Sequence, residues 1–187
     1  MVKKNACVFI SGTGNNLKYL IKSSRSYTFP INIKLIISNK NNAIGLKFAK
    51  KFTIPFKLIK TEDKFSETKI LNELIKKKIT LICLAGYMKI LSKNFIKKYK
   101  GKIINIHPSL LPKFKGTNTF KRILENNEKI TGCTVHYVNE KLDSGRIILK
   151  KKFNITGKEN EATIKKKTQQ LEYKAFSEAV NKLYLMN

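Results

Sequence analysis

The sequence predicts an α/β protein on a mostly parallel, doubly wound sheet, with helices on both faces and an antiparallel strand late in the chain. Short apolar runs alternate with amphipathic helical stretches from "ACVFI" onward. The run "ITLICLAG" carries no charge, as a strand buried on both faces does. Near the end, "GCTVHYVN" and "RIILKKKFNI" form a hairpin-like pair about the turn "KLDSG".

Each element follows from its local pattern. "ACVFI" is a strand closed by "SGTG", and Leu17, Leu20 and Ile21 in "NNLKYLIKS" fall at helical spacing. "INIKLIIS" is the second strand, "NNAIGLKFAKKF" the second helix, "PFKLIK" the third strand and "DKFSETKILNELIKKK" the third helix. After the fourth strand come a short helix, "SKNFIKKYK", and a fifth strand, "GKIINI". A short helix near "TFKRILENN", the late strand pair and a long helix from about Glu159 complete the chain. With 187 residues and no linker, repeat or low-complexity block, one domain is expected. Ligands of such sheets bind beyond the carboxyl ends of the strands.

The apolar fraction of 42% is ordinary, and no stretch approaches the roughly 18 apolar residues of a membrane span. "MVKKNACVFI" reads as a first strand, not a secretion signal. Cys7, Cys83 and Cys133 lie in apolar runs without metal-ligand spacing, as buried reduced thiols of a cytoplasmic protein would. The net charge of +27 points toward nucleic acid, yet of 39 basic residues only Arg25, Arg122 and Arg146 are arginines, and the lysines are spread along the chain. Abundant Lys, Asn and Ile are what an AT-rich coding sequence produces. Neither a specific nucleic-acid partner nor a membrane is therefore expected.

"SGTGNNL" stands between first strand and first helix, where backbone N–H groups can cradle a phosphate. Gly12 and Gly14 permit close approach, with Asn15 and Asn16 as donors or helix cap. Leu17 occupies the place of the third glycine of a dinucleotide fingerprint, and the first carboxylate of the chain is Glu62. A phosphate site without NAD, or an ordinary tight turn, remains.

The fifth strand delivers "NIHPSLLPKFKG". Asn105 and His107, two residues apart on an extended strand, leave by the same face. Pro108, Pro112 and Gly116 shape a stiff loop after them. Asp143 is one of only two aspartates, and it either caps its own turn or joins the end of the fifth strand. An amide, an imidazole and a carboxylate around one pocket suit acyl transfer to an amine: the amide stabilises an oxyanion, the imidazole handles a proton, and the carboxylate orients it. His136, inside "GCTVHYV", is expected to be structural.

Together "FISGTGNNL", "LAGYMKILS", "NIHPSLLPKFKG" and "GCTVHYVNEKLDSGRII" resemble the phosphoribosylglycinamide formyltransferases, folate-dependent enzymes of purine biosynthesis, from about Ala6 to Glu172. The resemblance implies a Rossmann-like domain with a phosphoribosyl-binding half, about 1–100, and a catalytic and folate-binding half, about 101–187. It implies that Gly14, Asn15 and Asn16 bind the phosphoribosyl group of glycinamide ribonucleotide. Gln169 to Glu172, "QQLE" at the start of the last helix, would join them. Met88, Lys89, Ile90 and Leu91 would form the pocket for 10-formyltetrahydrofolate with Asn105 and the loop Asn139, Glu140, Lys141, Leu142 and Asp143. Asn105, His107 and Asp143 would be the catalytic set, with no metal. Lys115 and Asn118 depart from the Pro and His that many members carry, and Lys64 is the candidate for a basic folate-side residue.

The implied reaction is direct formyl transfer, with Asn105 and a protonated His107 at the oxyanion and Asp143 relaying a proton. Small-molecule substrates and a monomer or weak homodimer are expected. Among rivals, methionyl-tRNA formyltransferase usually continues "RGAAP" where this chain has "KGTNTF" and adds an RNA-binding domain. Formyltetrahydrofolate hydrolase normally has an extra N-terminal domain. A non-catalytic nucleic-acid binder has no use for the three site residues together.

Overall fold

The computed structural model describes residues 2–59 and 66–185. The chain divides into two compact units, Met1–Ile104 and Asn105–Asn187.

The first unit alternates β1 (Lys4–Ile10), α1 (Asn15–Ser24), β2 (Ile31–Ser38), α2 (Leu46–Lys51), β3 (Phe56–Leu58), α3 (Ser66–Lys76), β4 (Leu81–Leu84) and α4 (Lys93–Lys98). β1 pairs in parallel with both β2 and β4, and β2 with β3, giving the order β3-β2-β1-β4. Parallel neighbours need crossovers, which the helices supply. Central β1 is accordingly buried from Ala6 to Ile10, and all four residues of β4 are buried. α1 turns Leu17, Leu20 and Ile21 inward. Phe9 meets Tyr87 edge to face, with ring centroids 5.2 Å apart.

α2 is shorter than its sequence pattern. Residues 41–45 form turns, because Gly45 closes on the glycine turn: its N–H donates to the Gly12 carbonyl at 2.9 Å. Of the third expected helix, Asp63, Lys64 and Phe65 lie outside the described residues.

β5 (Lys102–His107) carries the chain from the first unit into the second. There follow α5 (Thr119–Glu125), β6 (Ile130–Tyr137), β7 (Ile147–Asn154) and α6 (Glu161–Leu185). The second unit's strand order is β5-β6-β7. β6 and β7 are antiparallel, with an irregularity between Val135 and His136. α6 packs on both strands and buries Ile164, Ala175, Phe176, Ala179 and Val180 along one stripe. No helix among the described residues is long and apolar enough to cross a membrane.

Candidate active site

β5 brings Asn105 and His107 to its carboxyl end. The turn between β6 and β7 brings Asp143 to them. His107 Nδ1 lies 3.2 Å from Asp143 Oδ2, and Asn105 Nδ2 lies 3.4 Å from Asp143 Oδ1. His107 and Asp143 are only 5% and 8% exposed. The three residues proposed from sequence thus converge in the second unit.

The loop after β5 completes the arrangement. The Phe114 carbonyl lies 2.8 Å from His107 Nε2, and since a carbonyl only accepts, that nitrogen carries a proton. The Gly116 N–H donates to Asp143 Oδ2 at 2.9 Å. The loop is anchored by buried Thr134, whose hydroxyl donates to the Ser109 carbonyl at 2.7 Å and accepts from the Leu111 N–H at 3.1 Å. Left-handed backbone concentrates here: φ is +57° at Phe114, +79° at Gly116, +54° at Asn118 and +46° at Asp143. For residues other than glycine such conformations cost about 1–3 kcal/mol each and persist only where surrounding contacts impose them.

His136, expected from sequence to be structural, is buried in β6 and lies beside the three site residues. Its Nδ1 donates to the Tyr137 carbonyl at 2.8 Å, so in the neutral ring Nε2 is an acceptor facing the Asn105 amide nitrogen at 3.3 Å. The same Nε2 is 3.5 Å from Asp143 Oδ1. The register irregularity at Val135/His136 falls where a bulge re-aims a side chain. A signal existed in the sequence: Thr134 and His136 are polar, two residues apart, in an otherwise apolar run. One anchors the loop and the other touches the carboxylate.

Burial lowers the His107 pKa, against the Asp143 charge and the Phe114 carbonyl, which favour the protonated ring; the His136 and Arg122 charges lower it further. Burial also opposes ionisation of Asp143, but His136, the Gly116 N–H and His107 outweigh it, and the carboxyl lies below its ordinary value. Both ring nitrogens of His107 face protein acceptors. Asp143 favours a second proton on Nδ1, but burial outweighs it and holds the ring's pKa below its ordinary value. The two contacts of the Asn105 amide, at 3.3 and 3.4 Å, are longer than the usual N–H hydrogen bond, so a stronger acceptor can replace them. An amide donor beside an imidazole and a carboxylate can stabilise an oxyanion and move a proton.

The remaining residues divide between the units. In the first, Gly14 (φ +72°) caps α1, and a Cβ on it would stand 2.5 Å from the Gly45 Cα. Two glycine backbones therefore pack at the head of a helix that opens with Asn15 and Asn16 and has no acidic residue in its first turn. Ser11 accepts from the Met88 N–H at 2.8 Å and donates to Asn39 Oδ1 at 2.5 Å. Beyond it Met88 and Ile90 are exposed, at 71% and 72%, Lys89 lies between them, and Leu91 is buried. Lys64 lies outside the described residues.

In the second unit, Asn139 Oδ1 accepts from the Lys141 N–H at 3.0 Å, a turn that leaves Glu140, Lys141 and Leu142 exposed ahead of Asp143. Gln169 and Glu172 sit well inside α6, not at its start, because the helix begins at Glu161. Glu172 is buried near Cys133, whose thiol is pushed up to about 12 by burial, with the Glu172 charge adding to the rise.

Comparison with known proteins finds relatives over nearly the whole chain. The family model described as "Formyl transferase" matches residues 4–180. The trifunctional purine biosynthetic protein adenosine-3 of Homo sapiens is 41% identical over 185 residues, 95% of this chain, and the match spans only 18% of that protein's length. Phosphoribosylglycinamide formyltransferase of Haemophilus influenzae is 39% identical over 92% of this chain and 84% of its own length. The crystal structure of phosphoribosylglycinamide formyltransferase from Brucella melitensis superposes with a TM-score of 0.92 at 36% identity, covering 97% of this chain and 95% of that one. With the family match over nearly its whole length and the Asn-His-Asp cluster in place, the chain belongs to the formyl transferase family, on the branch of the folate-dependent phosphoribosylglycinamide formyltransferases.

Proposed function

We propose that the chain transfers the formyl group of 10-formyltetrahydrofolate to the amine of glycinamide ribonucleotide, a step of purine biosynthesis. The observation that carries this reading is the cluster of half-buried Asn105 with buried His107 and Asp143 at hydrogen-bonding distances. Of the first unit, the glycine turn with Asn15 and Asn16 is assigned to the phosphoribosyl group and Met88 to Leu91 to the folate. Of the second unit, Gln169 and Glu172 are assigned to the ribonucleotide and the loop from Asn139 to Asp143 to the folate.

In this reaction the substrate amine attacks the formyl carbon, a C–N bond forms, and the carbonyl becomes an oxyanion. The Asn105 amide releases its two long contacts and donates to that oxygen, while His107, protonated in the reacting complex although burial lowers its pKa in the free protein, stabilises its charge. Asp143 accepts the proton leaving the attacking nitrogen, directly or through water, and returns it to the departing folate nitrogen as the C–N bond to folate breaks. The positioning loop holds Asp143 and His107 during both steps, so little reorganisation is needed.

The test is a spectrophotometric assay of 10-formyltetrahydrofolate deformylation with glycinamide ribonucleotide, aminoacylated initiator tRNA or water as acceptor. Turnover that requires the ribonucleotide is expected. Turnover with tRNA or water alone would replace the acceptor, and none with any acceptor would overturn the reading.

A further inference from the structure

Arg122, on α5, holds the backbone that in turn holds two of the site side chains. Its Nη1 donates to the Lys115 carbonyl at 2.7 Å, and its guanidinium lies over the Phe114 ring, 5.5 Å from the centroid. Lys115 is the centre of a three-residue segment with a defined task on either side. The preceding carbonyl, of Phe114, accepts from His107 Nε2, and the following N–H, of Gly116, donates to Asp143 Oδ2. A second tether joins the segment to the Asp143 turn: Lys115 Nζ donates to Ser144 Oγ at 2.6 Å.

Phe114 needs such a clamp, because an aromatic residue at φ +57° relaxes toward the ordinary region unless something opposes it. Relaxation would rotate the Phe114 carbonyl away from the imidazole and the Gly116 N–H away from the carboxylate. Guanidinium suits this position: its planar fork hydrogen-bonds the carbonyl while its face covers the adjacent ring.

We propose that Arg122 is a positioning residue for formyl transfer, fixing the Phe114–Gly116 segment and through it the orientation of both His107 and Asp143. The kinetic part rests on the proposed reaction; the structural part does not. A misplacement of about 1 Å at reacting groups costs about a hundredfold in rate. Arg122→Met, which removes the donor and keeps an apolar stem, is therefore expected to lower kcat by about ten- to a hundredfold, with the KM of either substrate little changed. Arg122→Gln, which keeps an N–H donor for the Lys115 carbonyl, is expected to recover most of that loss.

With only two histidines in the chain, nitrogen-edited NMR of the ligand-free protein can follow the His107 Nε2–H directly. It is expected to be protected from exchange in the wild type and in Arg122→Gln, and lost from the spectrum in Arg122→Met. An Arg122→Met variant with wild-type kcat and an intact ring signal overturns the proposal, even if its melting temperature falls, because that pattern is a structural role alone. A wild type that transfers no formyl group defeats the functional reading, and the ring signal then still decides whether Arg122 positions the imidazole.

Discussion

Replacing Asp143 with asparagine tests the site most directly, because the change preserves shape and removes charge. In the wild type one carboxylate oxygen takes the Gly116 N–H at 2.9 Å and faces His107 Nδ1 at 3.2 Å, while the other faces the Asn105 amide at 3.4 Å. An amide cannot reproduce both sides. With its oxygen toward Gly116 and His107, its NH2 meets the NH2 of Asn105, donor against donor; turned over, it meets the Gly116 N–H in the same way. A hydrogen bond to a charged group contributes about 1.5–3 kcal/mol and a neutral one about 0.5–1.5, so the loss in folding stability is about 1 kcal/mol. The catalytic loss is larger, because the proton acceptor and the partner of the imidazolium disappear together. We expect kcat to fall by about 10² to 10⁴, which is about 3 to 5 kcal/mol of transition-state stabilisation. The assay is ribonucleotide-dependent deformylation of 10-formyltetrahydrofolate, with thermal unfolding alongside. A folded Asp143→Asn protein with kcat within about tenfold of wild type would refute the assignment of Asp143 to proton transfer.

Four further outcomes follow from the structure. Because burial holds His107 below its ordinary value, the unfolded chain takes up the proton first as pH falls; stability relative to His107→Gln should be constant above about pH 6.5 and decline below it, and denaturant titrations showing a gain on acidification would contradict this. The lowered carboxyl of Asp143 acts at lower pH, contributing stability above about pH 3.9 that disappears as pH falls through its folded pKa; Asp143→Asn should lack that second decline. Thr134→Val leaves the Ser109 carbonyl and the Leu111 N–H without their buried partner and should cost about 2 to 4 kcal/mol by urea unfolding, with a loss under 0.5 kcal/mol refuting the anchor. Gly14→Ala puts a methyl group against Gly45 at φ +72° and should raise the KM for the ribonucleotide at least tenfold, whereas an unchanged KM would remove the glycine turn from the phosphate site.

Much of the fold was legible because its signals are local. The uncharged run 79–86 reads as a buried strand, and β4 is buried at every position. The glycine turn reads as a break between strand and helix, and α1 begins one residue beyond Gly14. α2 was overextended because Asn41 to Gly45 carry helix-compatible spacing, while the approach of Gly45 to Gly14, which prevents a helix there, is a contact between distant residues. The place of His136 beside Asp143 was not legible for a similar reason: inside an apolar strand nothing marks a lone histidine as a neighbour of the turn that folds against it.

The alternation of strands and helices, the hairpin-like end of the sheet, and three residue types fit for acyl transfer can be read from the chain alone, since periodicity and side-chain chemistry are written residue by residue. That Asp143 reaches His107, that His136 stands beside it, that both ring nitrogens of His107 face protein acceptors, and that Arg122 clamps the loop between them follow from tertiary packing. Those contacts join residues seven or more positions apart, beyond the reach of strand or helix periodicity, and they depend on left-handed backbone at Phe114 and Asp143, a conformation those residues adopt only when the surrounding packing imposes it.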